Sequence, residues 1–346
     1  MSSRRSSYRA ASSTSSFADA VAVAGVLLVA SGLAGARADE AAPPAPAPLN
    51  LSVALRDGQA WVGGKGGVEV YDVREPDRPV HVERIRLRAT VEAVAFRGDQ
   101  ALLAVGSHGL YVLDVADLEQ VALVARFDGP GRVRDVMLVG DQVWIAAQRQ
   151  GLSVVDLRFP EHPLTVATVS TTGEMRALAR DGDRVAAAEG QAGVRIFDAS
   201  RPGSPRIETV VRDAEGALDV AFAGGRLLVA AGRRGLLVYP ASSARLERPQ
   251  SVPAIDTAIA VTFADGLALV ANHDAGLQVI DLDGDAPRET ARVDLPRNHS
   301  VESVVYRDGF AFVAAGQGPL AIVDLREPTE PRVVFPAGRK LRVRFP

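Results

Sequence analysis

GVEVYD at residues 67–72 returns as GLYVLD at 109–114, GLSVVD at 151–156 and GVRIFD at 193–198. GLLVYP at 235–240, GLQVID at 276–281 and PLAIVD at 319–324 complete the series. Successive phrases start 42, 42, 42, 42, 41 and 43 residues apart. A fixed period of this length marks a repeat architecture and takes precedence over any local reading. Each phrase is a short β-rich apolar run opened by Gly and closed by Asp, which predicts a buried strand between two turns.

The flanks repeat as well. Upstream stand two apolar runs joined by a polar turn, as in VEAVAF-RGDQ-ALLAVG (91–106) and VESVVY-RDGF-AFVAAG (301–316). Gly-Asp, Asp-Gly and Gly-Gly at these turns tolerate the positive φ of tight hairpins. Downstream comes a corner with spaced prolines, Pro76 and Pro79, Pro160 and Pro163, Pro202 and Pro205, or Pro328 and Pro331, and then a fourth strand. Each unit therefore reads as four antiparallel strands, A to D. Four strands per unit of about 42 residues is the pattern of a propeller blade. The fold class predicted is all-β, a seven-bladed β-propeller of four-stranded antiparallel blades. A single blade has two apolar faces and needs a neighbour on each. Strand A is expected to begin at residues 49–55 in blade 1, and the last strand D at 331–335.

LYVLD, LSVVD, LQVID and LAIVD resemble the LVIVD-repeat family of bacterial and archaeal exported or cell-surface proteins. The resemblance covers all seven units. Blade 5 departs from it with Pro240 in place of Asp, and blade 7 with Pro319 in place of Gly. It implies a propeller outside the cytoplasm and says little about chemistry.

The expected organisation is a signal peptide at 1–38, an Ala/Pro-rich linker at 39–48, the propeller at 49–336 and a basic tail at 337–346. Arg4, Arg5 and Arg9 precede a run without charge from Ala20 to Ala36, and Ala36-Arg37-Ala38 presents small residues for cleavage. A cleaved signal is the reading, with an uncleaved anchor as the alternative; the run falls short of the roughly 20 strongly apolar residues of a stable span. Export to the periplasm or cell surface follows, with no membrane span left after cleavage. The tail GRKLRVRFP (338–346) is free to add an outer strand.

The chain has 346 residues, no cysteine and a net charge of −3. A propeller of about 290 residues buries roughly three quarters of its unfolded surface, so it needs no disulfide. Without cysteine there is no thiolate nucleophile and no Cys-based metal site. The near-neutral charge gives no reason to expect nucleic acid as a partner, and a monomer is expected.

The closing aspartates Asp72, Asp114, Asp156, Asp198, Asp281 and Asp324 recur too often to be catalytic. They are expected to cap the backbone of the following corner as Asx turns. Strand A carries an apolar residue at Val53, Val94, Val136, Leu178, Val220, Val261 and Val304. Two residues earlier, and so on the same side, stand Leu51, Glu92, Arg134, Arg176, Leu218, Ile259 and Glu302. They should ring the channel mouth, where Glu92 and Glu302 with Arg134 and Arg176 either grip a polar or zwitterionic ligand or pair with one another. Ion pairing is the favoured expectation.

His108 and His273 fall in B–C loops, and His299 in the loop leading into blade 7. All three should point to the same face as Gln148, Asn272 and Asp274. Histidine suits metal binding and acid–base work, but the blades involved are not all adjacent. Asp281, Asp283, Asp285 and Glu289 follow a calcium-loop spacing, with Ala286 where Gly would make the turn. No cofactor is expected, and Ca²⁺ at this corner is the alternative. Serine-hydrolase, zincin and Walker motifs are not seen in the sequence.

The B–C loops differ in every blade: GGKG, GSH, QRQ, EGQA, GRR, NHDA and GQG. Such variation fits a surface reading a partner, with His108, Arg149, Arg234 and His273 as its contacts; drift at unconstrained tips is the alternative. The functional expectation is a non-enzymatic binding or scaffolding propeller for a protein or a small polar or glycan ligand. A hydrolase or lyase with a metal or histidine site at the channel mouth is the alternative.

Overall fold

The computed structural model describes residues 50–129, 131–240, 248–295, 300–335 and 343–344. These form seven antiparallel sheets, each one repeat long. Blade 2 shows the pattern: strand A is Ala93–Arg97, B is Gln100–Ala104, C is Leu110–Asp114 and D is Ala122–Phe127, hydrogen-bonded in that order. In blade 1 the stretch Gln59–Asp72 carries B and C together: its first half pairs with Asn50–Arg56 and its second with Val80–Thr90. In blade 6 an outer strand, Val343–Arg344, pairs with Arg292 and Val293, so the tail does add a strand. A 3-10 turn at Leu118–Gln120 is the one helical element among the described residues, none of which form a helix able to cross a membrane.

The ring closes where strand A of blade 1 meets Ser303–Arg307, strand A of blade 7. Strand A is the inner edge of every sheet, and each touches the next around the axis. Strands B and C are apolar nearly throughout because both of their faces are covered. Each hydrophobic cluster sits between two adjacent blades. Trp61, Val70 and Leu103 join blades 1 and 2, while Val53, Val62, Phe312 and Ile322 join blades 1 and 7. Strand D bears a bulge opposite the same point of strand C in six blades, as at Val112/Leu113 and Val154/Val155. A bulge adds local twist, which the outer edge of a propeller blade needs.

Two features of the repeated phrase now have causes. Its opening glycine lies where strand D crosses closest: a Cβ on Gly109 would sit 2.0 Å from the Phe127 carbonyl oxygen, at φ +81°. Gly67, Gly151, Gly193, Gly235 and Gly276 meet the same obstacle. Its closing aspartate accepts the N–H two residues on in all six blades that carry it, at 2.8–3.1 Å. The Asx-turn expectation is met.

Candidate functional site: the channel mouth

The B–C turns and the D–A connections share one face of the ring. Backbone bridges tie each such turn to the start of the next blade: Gly106 to Val133, Gln148 to Met175, Gly190 to Ala217, Gly232 to Ala258 and His273 to Val301. At the centre of this face the strand A edges enclose a cavity of about 370 Å³. All seven mouth residues named from the sequence line it. Its titratable lining is Glu92, Arg134, Asp135, Arg176, Asp219 and Glu302.

The mouth charges divide between two behaviours. The Glu92 side chain is 3% exposed and meets Arg134 at 2.5 Å and Arg132 at 2.6 Å, across the junction of blades 2 and 3. Ion pairing between neighbours holds there. Burial pulls the Arg134 guanidinium below its usual range, and Glu92 opposes that. Arg176 and Glu302 do not follow. Arg176 turns to Glu174 at 2.9 Å, with its Nε unpartnered. Glu302 accepts the Ser300 hydroxyl at 2.5 Å and lies 3.6 Å from His273 Nε2.

Asp135 and Asp219, which the sequence reading passed over, lie between the two strand A positions it singled out. Each carboxylate spans two blades. Asp135 accepts the N–H of Val136 and of Leu178 in the next blade, both at 2.8 Å. Asp219 accepts those of Val220 at 2.8 Å and Val261 at 2.9 Å. Burial raises both acids: Asp135 to about 6 against the pull of its N–H bonds, and Asp219 to about 7, with Asp135 adding to the rise. The other blades have Ser52, Ala93, Ala177, Ala260 and Ser303 at this position. The signal was there to read: an acid inside an apolar inner strand in two repeats of seven.

The loop residues are less free than their variation suggests. Arg149 pairs with Glu174 at 3.2 Å, and Arg234 donates to the carbonyls of Asp213 and Glu215 at 2.7 and 3.2 Å. Both fasten a B–C turn to the neighbouring connection. His108 is exposed, and Asn272 is wholly buried, donating to Gln278 at 2.9 Å. His299 lies outside the described residues. His273, at φ +44°, has Asp274 at 3.3 Å and Asp256 at 3.6 Å from Nδ1. Ligand atoms of these three lie within 4.8 Å of one another.

At the blade 6 corner, two of the four residues with calcium-type spacing are engaged by other groups. Asp281 caps Asp283 N–H at 2.9 Å, while Glu289 stands on strand D, held by Gln278 and Arg292. Asp281, Asp283, Asp285 and Glu289 are not among the groups whose ligand atoms converge.

Comparison with known proteins comes down to the fold and its repeats. A computationally designed protein, Ika8, superposes with a TM-score of 0.59 at 11% identity, covering 80% of this chain and 96% of that one. PorZ, a surface component of the type-IX secretion system of Porphyromonas gingivalis, gives 0.59 at 14%, covering 83% of this chain and 38% of PorZ. A chain of the mitotic checkpoint complex gives 0.63 at 15%, covering 84% and 98%. At these identities the likeness is one of fold alone. No curated protein matches in sequence. The LVIVD repeat family matches residues 130–171 and 300–336, the third and seventh units. Two of its seven blades match the LVIVD repeat, and this chain is a seven-bladed β-propeller.

Proposed function

We propose that this propeller is a non-enzymatic binding protein that takes its partner at the loop-bearing face, with the channel cavity as the central pocket. The observation that carries the reading is the cavity: about 370 Å³, contributed to by all seven blades, with six titratable side chains in its wall. Such a pocket has the volume of a small-ligand site. Export to the periplasm or cell surface belongs to the proposal through residues 1–38, which lie outside the described residues. N-terminal sequencing of secreted protein should return Asp39; Met1 would argue for an anchor.

The test is a thermal-shift panel of small polar compounds, glycans and peptides, run on the wild type and on Arg134→Ala and Arg176→Ala. Compounds that raise the melting temperature should lose their effect in the arginine variants. Shifts that survive in both would place binding away from the mouth.

One observation favours the alternative, a hydrolase or lyase. Asp256, His273 and Asp274 gather at the rim, with Glu302 of the cavity wall against the same imidazole. Titration with Zn²⁺ or Mn²⁺ separates the readings: stoichiometric binding lost in His273→Ala supports the metal site, and its absence removes it.

A further inference from the structure

Strand A is a sheet edge, so alternate backbone N–H groups along it point into the channel instead of to a neighbouring strand. Val136, Leu178, Val220 and Val261 occupy one such position, and their N–H groups go to Asp135 and Asp219. The same register position recurs at Val53, Val94 and Val304, opposite Val62, Leu103 and Val313. Seven inward N–H donors thus ring the channel. Two carboxylates take four of them, in blades 3 to 6. The remaining three belong to blades 7, 1 and 2, which are contiguous, and among the described residues no side-chain acceptor takes them.

That arc also has room and an orphaned hydroxyl. Ser303, Ser52 and Ala93 stand at the aspartate position in blades 7, 1 and 2. Ser52 is 8% exposed and lines the cavity, and its Oγ has no hydrogen-bond partner. Buried polar groups are nearly always paired, so this wall is short of acceptors just where the opposite wall supplies its own.

We propose that the blade 7–1–2 arc of the channel is a receptor for one carboxylate group, held across the N–H groups of Val53 and Val94 as the chain holds its own Asp135 and Asp219. The proposal rests on the channel reading above and narrows it to a ligand class: a small carboxylic acid or the C-terminal carboxylate of a peptide. The two internal examples fix the geometry, with each oxygen 2.8–2.9 Å from a backbone nitrogen and the two nitrogens on adjacent blades. Arg134 and Arg176 stand at the mouth on blades 3 and 4, paired with Glu92 and Glu174. Glu92, on blade 2, is neutralised by Arg132 and Arg134, and Glu302, on blade 7 of the same arc, has His273 Nε2 at 3.6 Å. Asp135 and Asp219 ionise late, so their repulsion fades below neutral pH.

The probes are N-acetylglycine, N-acetylglycinamide, and an acetylated tripeptide with a free or an amidated C-terminus. Backbone amide shifts of Val53 and Val94 are followed by NMR in the purified protein. The acid and the free-terminus peptide should both move these amides saturably, and their amides should not; binding of the acid alone assigns the small-molecule source, and of the peptide alone the C-terminal source. Ser52→Asp supplies an internal carboxylate to the same donors. Opposite it stands Gly63, where Asp135 and Asp219 face Ala146 and Ala230, and the Ser52 hydroxyl lies over that glycine beside Val91. This variant should weaken acid binding at least tenfold while keeping the fold, and Ser303→Asp, which covers Val304 and Val53, serves if it does not fold. Equal binding of acid and amide, unchanged affinity in a folded aspartate variant, or no shift at Val53 and Val94 overturns the carboxylate receptor. If arginine-dependent ligands of another class still bind, the mouth reading survives that failure; if none do, both fall.

Discussion

Asp135 reaches across a blade boundary to accept the N–H of Leu178 at 2.8 Å, 43 residues further along the chain. The contact joins two inner strands that share no sheet hydrogen bonds. With its counterpart from Asp219 to Val261, it stitches the ring at its narrowest point, using an acid that burial drives toward the neutral form.

This placement sets the pH dependence of stability. Asp135 and Asp219 rise from 3.8 to about 6 and about 7 on folding. Their stabilising contribution is complete below pH 3.8 and is lost as pH climbs through 6 and 7. The corner acids run the other way. Asp72 falls to about 2, and Asp156, Asp198 and Asp324 are lowered by the N–H and side chains they bind. Their contribution is present above pH 3.8 and is lost toward pH 2, and solvent screening keeps it small. The melting temperature should peak near pH 4. Asp135→Asn with Asp219→Asn should flatten the fall between about pH 4 and 7 and leave the acid limb in place; an unchanged fall would exclude these two acids as its source.

Gly109→Ala should be severely destabilising. The added methyl meets the Phe127 carbonyl and the backbone is left-handed there, so strain and a displaced strand D combine. A loss of at least about 3 kcal/mol is expected in urea denaturation. Gly182→Ala, in a turn with nothing within 4 Å of the new methyl, should cost only the left-handed penalty of about 1 kcal/mol.

Asp156→Ala removes the acceptor for Arg158 N–H and for its guanidinium, both at 2.8 Å. A loss of about 1 kcal/mol is expected, as for other local caps. Asp156→Asn should recover most of it, since the backbone bond needs only one oxygen. Equal losses in the two variants would show that the charge, not the turn, matters.

Arg195 and Glu189 form a buried pair at 3.0 Å, with side chains 8% and 1% exposed, and Arg195 also holds the Ser170 carbonyl at 2.8 Å. Arg195→Ala leaves Glu189 without its cation in the interior, at a cost of about 3–5 kcal/mol. Arg195→Met with Glu189→Leu should recover most of that, as apolar replacements of buried pairs commonly do. Chemical denaturation of the three proteins checks the order.

The amino-acid sequence by itself determined the blade number, the strand order and the address of the channel mouth. Those follow from local chemistry repeated in phase: a glycine wherever strand D crowds the backbone, an aspartate wherever a corner needs an acceptor, and alternation that fixes which residues of strand A look inward. Only the tertiary structure decided which of those residues meet. Glu92 and Arg134 pair because blades 2 and 3 are neighbours, while Arg176 turns to Glu174 and Glu302 to Ser300 and His273. The Leu178 N–H became the partner of Asp135, and Asn272 went into the interior, for the same physical reason. Contacts between blades depend on how sheets are spaced and twisted around the axis, and a period of 42 residues carries no record of that distance.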